Sequence, residues 1–224
     1  RWIAEYRARA VSGDVLTADP DPAWAAMFEE LAAAAGDDLG LARERVQRHA
    51  EDIGTGFRII GESEERPWPL SPVPLLIAAE EWRTIEAGIV QRADLLETVI
   101  ADLYGDASLV ARGLIPAALV GGSPFFLRPM AGLVPSGGHH LQFIAVDLGR
   151  GPTGEWRVLA DHLRAPAGAG YALENRLAIA RTLGGLQARL NVQRHAPFFA
   201  AFRDGLAAAC RRAEPRIGLL TPGR

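Results

Sequence analysis

Apolar residues recur at a helical period from about residue 20 onward. In PDPAWAAMFEELAAAA, Trp24, Met27, Phe28 and Leu31 stand at i, i+3, i+4 and i+7, forming one stripe, and Pro22 suits a first turn. DDLGLARERVQRHAEDIG continues the pattern, so residues 20–52 read as helical, with Gly54 placed to end the run. A short strand signal follows from Phe57 to Ile60. Pro67, Pro69, Pro72 and Pro74 then remove backbone donors and push their neighbours toward extended conformations, which predicts a stiff, irregular crossing. The longest helical region runs over 79–113. Trp82, Ile85, Ile89, Leu96, Val99, Ile100 and Leu103 keep its 3.6 period, Gly105 closes it, and DASLVARGLIP adds one more turn. VGGSPFFLRPMAGLVPSGG reads as loop.

Two strand-like runs come next, LQFIAVDLG (141–149) and EWRVLADHL (155–163). The Gly-Pro turn between them predicts an antiparallel hairpin. Helices over about 172–190 and 197–212 and a final strand, RIGLL, complete the chain. This order predicts an α+β (mixed α/β) fold rather than a regular βαβ alternation, with a helical N-terminal region over 1–66 and a second domain over 67–224.

Composition narrows the chemistry. The 224 residues carry a net charge of −3 with 49% hydrophobic and 23% charged residues, so there is no basic field for a nucleic acid. No apolar run approaches the roughly 20 residues that cross a bilayer. The lone Cys210 and the absence of zinc-site spacing point to a reducing compartment, and the expectation is a cytoplasmic protein without membrane or nucleic-acid partners. All 24 basic residues are Arg. Without Lys there is no Walker A lysine, no pyridoxal Schiff base and no kinase strand lysine.

Candidate chemistry gathers in the hairpin and the segment after it. Asp147 and Asp161 lie one on each arm in otherwise apolar strands, where a carboxylate needs a partner, a metal or water. Facing one another, they would make a hard-oxygen Mg²⁺ site, which requires an odd-numbered connection; the other reading pairs them with Arg157 or Arg164. Gly168 and Gly170 satisfy only two of the three glycines of a dinucleotide fingerprint. They are read as turn residues with positive φ, or as a close approach for substrate at a helix N-terminus. Arg150, Arg164 and Arg176 near these acids would stabilise anionic transition-state charge, or are surface residues. His139 and His140 read as solvated loop histidines. Trp68, Trp82 and Tyr104 read as core anchors, and Glu81, Gln91, Arg92 and Asp102 as a solvated helix face.

The run from Asp147 through Arg176, with PWPLSPVPLL, EEWRTIEAGIVQRADLLE, ADLYG and PRIGLLTPG in the same order, resembles the circularly permuted type 2 ATP-grasp family, related to glutathionylspermidine synthetase-like ligases. The resemblance extends from about Ile53 to the end. It implies part of an ATP-grasp fold that continues beyond residue 224, and an ATP- and Mg²⁺-dependent carboxylate-amine ligase working through an acyl-phosphate. Small-molecule or peptide carboxylates and amines would be the substrates, and the remaining C-terminal half of the same protein would be the partner. Asp147 looks like the first metal acid of the family. Asp161 to Gly168, DHLRAPAG, is similar to its second motif, with Leu163 where the motif carries Asn and Asn175 as an alternative oxygen from the following helix. Gly168, Gly170, Tyr171, Glu174 and Asn175 would shape the substrate site. A non-catalytic binding or scaffold protein is the alternative, favoured by Leu163 and the missing Lys; a metal-dependent hydrolase is a third.

Overall fold

The computed structural model describes residues 2–11, 22–36, 38–59, 61–164 and 166–218. The architecture is α+β, and among the described residues helices dominate over two small two-stranded sheets. The residues fall into two compact units. The first comprises Arg1–Ala78, Arg150–Arg157 and Ala167–His195, and the second Ala79–Gly149, Val158–Pro166 and Ala196–Arg224.

In the first unit the stripe of α2 (Pro22–Ala35) buries Trp24, Met27, Phe28, Leu31 and Ala35. The region read as helical to residue 52 is two helices. Gly36, at φ 61°, ends α2 by donating to Ala32 O, and Asp38 caps α3 (Leu39–Asp52) by accepting from Gly40 N at 2.8 Å. A further helix that the pattern did not announce, α1 (Trp2–Arg9), sets the Trp2 ring edge-on to Phe28. Ala42 and Val46 of α3 meet Ile179 of α7 (Ala169–Thr182), Leu183 directly after it and Leu186 of α8 (Leu186–Arg189) in the same core. Met27, Leu31 and Leu183 are wholly enclosed, each worth about 1.5–3 kcal/mol of transfer energy. The single helix expected over 172–190 is interrupted here: Leu183 leaves helical geometry and Gly184-Gly185 separate α7 from α8, so Leu183 and Leu186 both reach the core.

The strand signal after α3 shortens to β1 (Gly56–Phe57), which pairs antiparallel with β2 (Arg66–Pro67); Ile60 lies outside the described residues. The Pro-rich crossing that follows carries no helix or strand up to residue 78, in keeping with its missing donors. It is anchored by Trp68. That ring stacks on Tyr171 with centroids 4.1 Å apart and meets the edge of Phe57, while Tyr171 Oη donates to Gly56 O at 2.7 Å.

The second unit is built on α4 (Ala79–Tyr104), which ends as expected before Gly105. Ile85 is its buried residue. The expected extra turn is α5 (Ser108–Ala111), followed by α6 (Ala117–Gly121) and a 3₁₀ turn at Arg128–Met130. Phe143 packs on Phe198 and Phe202 of α9 (Ala196–Ala208). The hairpin appears as β3 (Ala145–Arg150) and β4 (Trp156–His162), turned by residues 151–155 with Gly154 at φ 90°. Its stem belongs to the second unit and its tip to the first. Arg216–Gly218 are not in a strand, and Leu219 and Leu220 of the expected last strand lie outside the described residues.

Candidate active site

The hairpin stem places each acid beside a cation. Asp161 accepts from Arg92 Nε and from an Arg92 terminal nitrogen, both at 2.6 Å, one bond on each carboxylate oxygen. The Arg92 fork matches a carboxylate in this way because its donors are coplanar. These hydrogen bonds, more than the charge itself, hold the Asp161 carboxyl below the usual range and raise Arg92. Asp147 Oδ2 meets His162 Nε2 at 2.9 Å, leaving Oδ1 without a hydrogen-bond partner among the described residues. The connection is odd-numbered, as the facing arrangement requires, yet the partners are Arg92 and His162 rather than Arg157 or Arg164. Arg157 instead binds Glu155, and Arg164 lies over the Phe125 ring, 4.6 Å from its centroid.

Sequence reasoning missed Arg92, assigning it to a solvated face. One signal was there: Arg92 falls between Ile89 and Leu96 on the apolar stripe of α4, where a cation requires a partner. Asp102 was misread in the same way. Its carboxylate accepts from Ser108 N at 3.0 Å, from Ser108 Oγ and from Leu109 N at 2.9 Å, which satisfies orphan donors at the start of α5. His140 is likewise no solvated loop residue. Glu97 of α4 accepts from the amides of His140 and Leu141, both at 2.8 Å, and from the His140 ring at 3.3 Å. Burial pushes the Glu97 carboxyl up, but these bonds together outweigh it and hold it below its ordinary value.

The other expected site residues lie in the first unit. Arg150 lies over the Trp156 ring and donates to Gly154 O. Gly168 stands at φ 112° before α7, a conformation that residues with a side chain rarely adopt, but Gly170 lies in the first helical turn without positive φ. The helix therefore starts at Ala169, three residues before the expected Ala172. Tyr171 is occupied with Trp68 and Gly56, and Asn175 Oδ1 accepts from Trp68 Nε1 at 2.7 Å. Glu174 is half-buried on the same turn. Arg176 donates to Gln193 O at 2.7 Å and approaches His195 Nε2 at 3.0 Å. Burial lowers Arg176, and burial followed by the Arg176 charge lowers His195, so the imidazole is held neutral with its lone pair toward the guanidinium.

Mg²⁺ takes oxygen donors and is commonly held by one or two carboxylates plus substrate phosphates. Asp147 and Asp161 are donors of that kind, and Asp147 Oδ1 is open, so the stem fits the ion in chemistry. Among the described residues no three His, Cys, Asp or Glu side chains come together as a metal cluster, and Asp161 has both oxygens engaged by Arg92. No helix of the described residues is long and apolar enough to cross a membrane.

Comparison with known proteins gives this arrangement a context. A sequence model of the circularly permuted ATP-grasp type 2 family matches residues 74–224. An uncharacterized protein of Mycobacterium leprae is 36% identical over 199 residues, 88% of this chain and 35% of its own length. One of Mycobacterium tuberculosis is 36% identical over 199 residues, 88% of this chain and 36% of its own. A protein of Frankia casuarinae whose name proposes a glutamate–cysteine ligase is 37% identical over 191 residues, 83% of this chain and 22% of its own. The chain thus spans about a third or less of the length of these relatives.

Proposed function

The chain belongs to the circularly permuted ATP-grasp type 2 family, and from that premise we propose that it is part of an ATP- and Mg²⁺-dependent carboxylate-amine ligase. The observation that carries the reading is the pair of carboxylates, Asp147 and Asp161, on the two arms of one hairpin within the matched region. The Frankia relative, named for a ligase joining a carboxylate to an amine, supports it. Residues 67–224 then form part of the ATP-grasp domain, preceded by the helical region 1–66, and the protein acts in the cytoplasm. Kinship with glutathionylspermidine synthetase-like enzymes is the finer assignment.

In the proposed reaction a substrate carboxylate oxygen attacks the γ-phosphorus of ATP, the bond to the bridging oxygen breaks, and ADP leaves. An amine then attacks the acyl carbon, phosphate departs, and the amine's extra proton is released. Bound Mg²⁺ would neutralise phosphate charge, held by Asp147 Oδ1 and by Asp161. Arg164, which belongs to the same compact unit as both acids, would contribute cationic charge to the reaction. Arg150, Arg176 and the segment from Gly168 to Asn175 would serve phosphoryl and acceptor groups, with Gly168, Gly170, Tyr171 and Glu174 shaping the surface. Tyr171 and Asn175 would do so as positioning residues, their polar atoms being engaged with Gly56 and Trp68.

The test is Mg²⁺-dependent ADP release by the full-length protein over a panel of carboxylates and amines, with Asp147→Asn and Asp161→Asn. Ligation lost in both variants supports the reading. Tight ATP binding with no turnover in any combination would instead support a non-catalytic binding or scaffold protein, which Leu163 and the Lys-free sequence favour.

A further inference from the structure

The carboxylate that the ligase reading gives to the metal already holds a cation. Arg92 places one N–H on each Asp161 oxygen at 2.6 Å, so both oxygens that would ligate a metal already accept a hydrogen bond. The two side chains remain accessible, with 41% of Arg92 and 20% of Asp161 exposed, so the contact is open to exchange. A carboxylate offers about four lone-pair positions, and the fork occupies one on each oxygen. The remaining positions are available only to a cation that tolerates a guanidinium one carboxylate away, and like charges at that distance repel strongly. Arg92 also cancels the Asp161 charge, which removes half of the negative charge the two acids bring to the stem. The contact joins β4 to α4, residues 69 apart in sequence.

We propose that Arg92 and a divalent cation are alternative occupants of the Asp161 carboxylate, so that metal loading of the hairpin stem releases Arg92 and loosens the tie between β4 and α4. This rests on the reading of Asp161 as a metal ligand. Arg92 is then a positioning residue: it holds the carboxylate in place while no metal is bound and sets the affinity at which metal enters.

The experiment is a Mn²⁺ titration followed by electron paramagnetic resonance, without nucleotide. It uses the full-length protein and its Arg92→Gln, Arg92→Lys, Asp161→Asn and Arg92→Gln/Asp161→Asn variants, each checked for folding by a thermal melt. Removing a charge-assisted pair at a partly exposed site is expected to tighten Mn²⁺ binding about tenfold in Arg92→Gln. Arg92→Lys, a point charge without the fork, is expected to fall between, and adding Asp161→Asn to abolish the gain. Equal or weaker binding in a folded Arg92→Gln, with Asp161→Asn still weakening the site, overturns the exchange and leaves Asp161 a ligand. Asp161→Asn binding as the unaltered protein does, in both backgrounds, overturns the ligand reading and the exchange with it. Absence of binding in every variant also overturns the exchange. If Arg92→Gln fails to fold, Arg92→Lys decides: tighter binding supports the exchange, and unchanged or weaker binding overturns it.

Discussion

Replacing Trp68 by Phe removes one hydrogen bond and trims one stacked ring, which makes it a sensitive probe of what Asn175 is for. The indole N–H donates to Asn175 Oδ1 at 2.7 Å, and the ring lies 4.1 Å and 19° from that of Tyr171. Losing a bond of this kind at a half-buried site costs about 1 kcal/mol. The smaller ring on Tyr171 forfeits roughly 0.5–1 kcal/mol more. Trp68→Phe should therefore destabilise by about 1.5–2 kcal/mol and Asn175→Ala by about 1 kcal/mol. The double variant should cost less than the sum by about 1 kcal/mol, because either single change already breaks the bond. Urea unfolding of the four proteins, followed by far-UV circular dichroism, measures this. With m of roughly 2–3 kcal/mol/M, the Trp68→Phe midpoint should fall by about 0.5–1 M. Strict additivity of the two changes would refute the reasoning. Asn175 would then be uncommitted, and its oxygen would be free to act as the metal donor that Leu163 cannot be.

Leu183→Ala empties a wholly enclosed position and should cost about 3 kcal/mol, read in the same unfolding assay; a change within error would mean that the α7 end does not close the core. Asp102→Ala strips the acceptor from the start of α5, so exchange of the Ser108 and Leu109 amides should accelerate at least several-fold, with no comparable change at Glu97. Acid should act early through His195. Its folded value is lowered, so its contribution is present above the unfolded value of about 6.5 and is lost as pH falls through the lower folded value. The urea midpoint should decline below about pH 6.5 before carboxylates titrate, and His195→Gln should flatten that decline; an unchanged slope in the variant would refute it.

Legibility followed the range of the interactions. The α2 stripe, the close of α4 at Gly105 and the two arms of the hairpin are local patterns of period and turn, and the structure carries all three close to where the pattern puts them. The division of the first helical stretch at Gly36 and the break at Gly184-Gly185 depend on tertiary packing, because helical period alone does not say where Leu183 and Leu186 must point. The candidate residues were visible as residue types, but their partners were not. Asp161 meets Arg92 across 69 positions, and Trp68 meets Asn175 across 107. No local spacing encodes such a pair, although the misplaced cation on the α4 stripe and the Trp within a Pro-rich crossing each marked one half of it. Asp147 beside His162 shows the same limit at short range: the pattern places both residues on the hairpin without saying that they meet.

Both acceptors that hold Arg176, the carbonyl of Gln193 and the ring of His195, are neutral, and among the described residues no carboxylate forms an ion pair with it. The guanidinium is thus oriented without being discharged. Arg92 must give up a carboxylate before it can face another anion, whereas Arg176 keeps its whole charge and its orientation together. An anion arriving there would break no existing ion pair, and its attraction would be set by how much water it sheds.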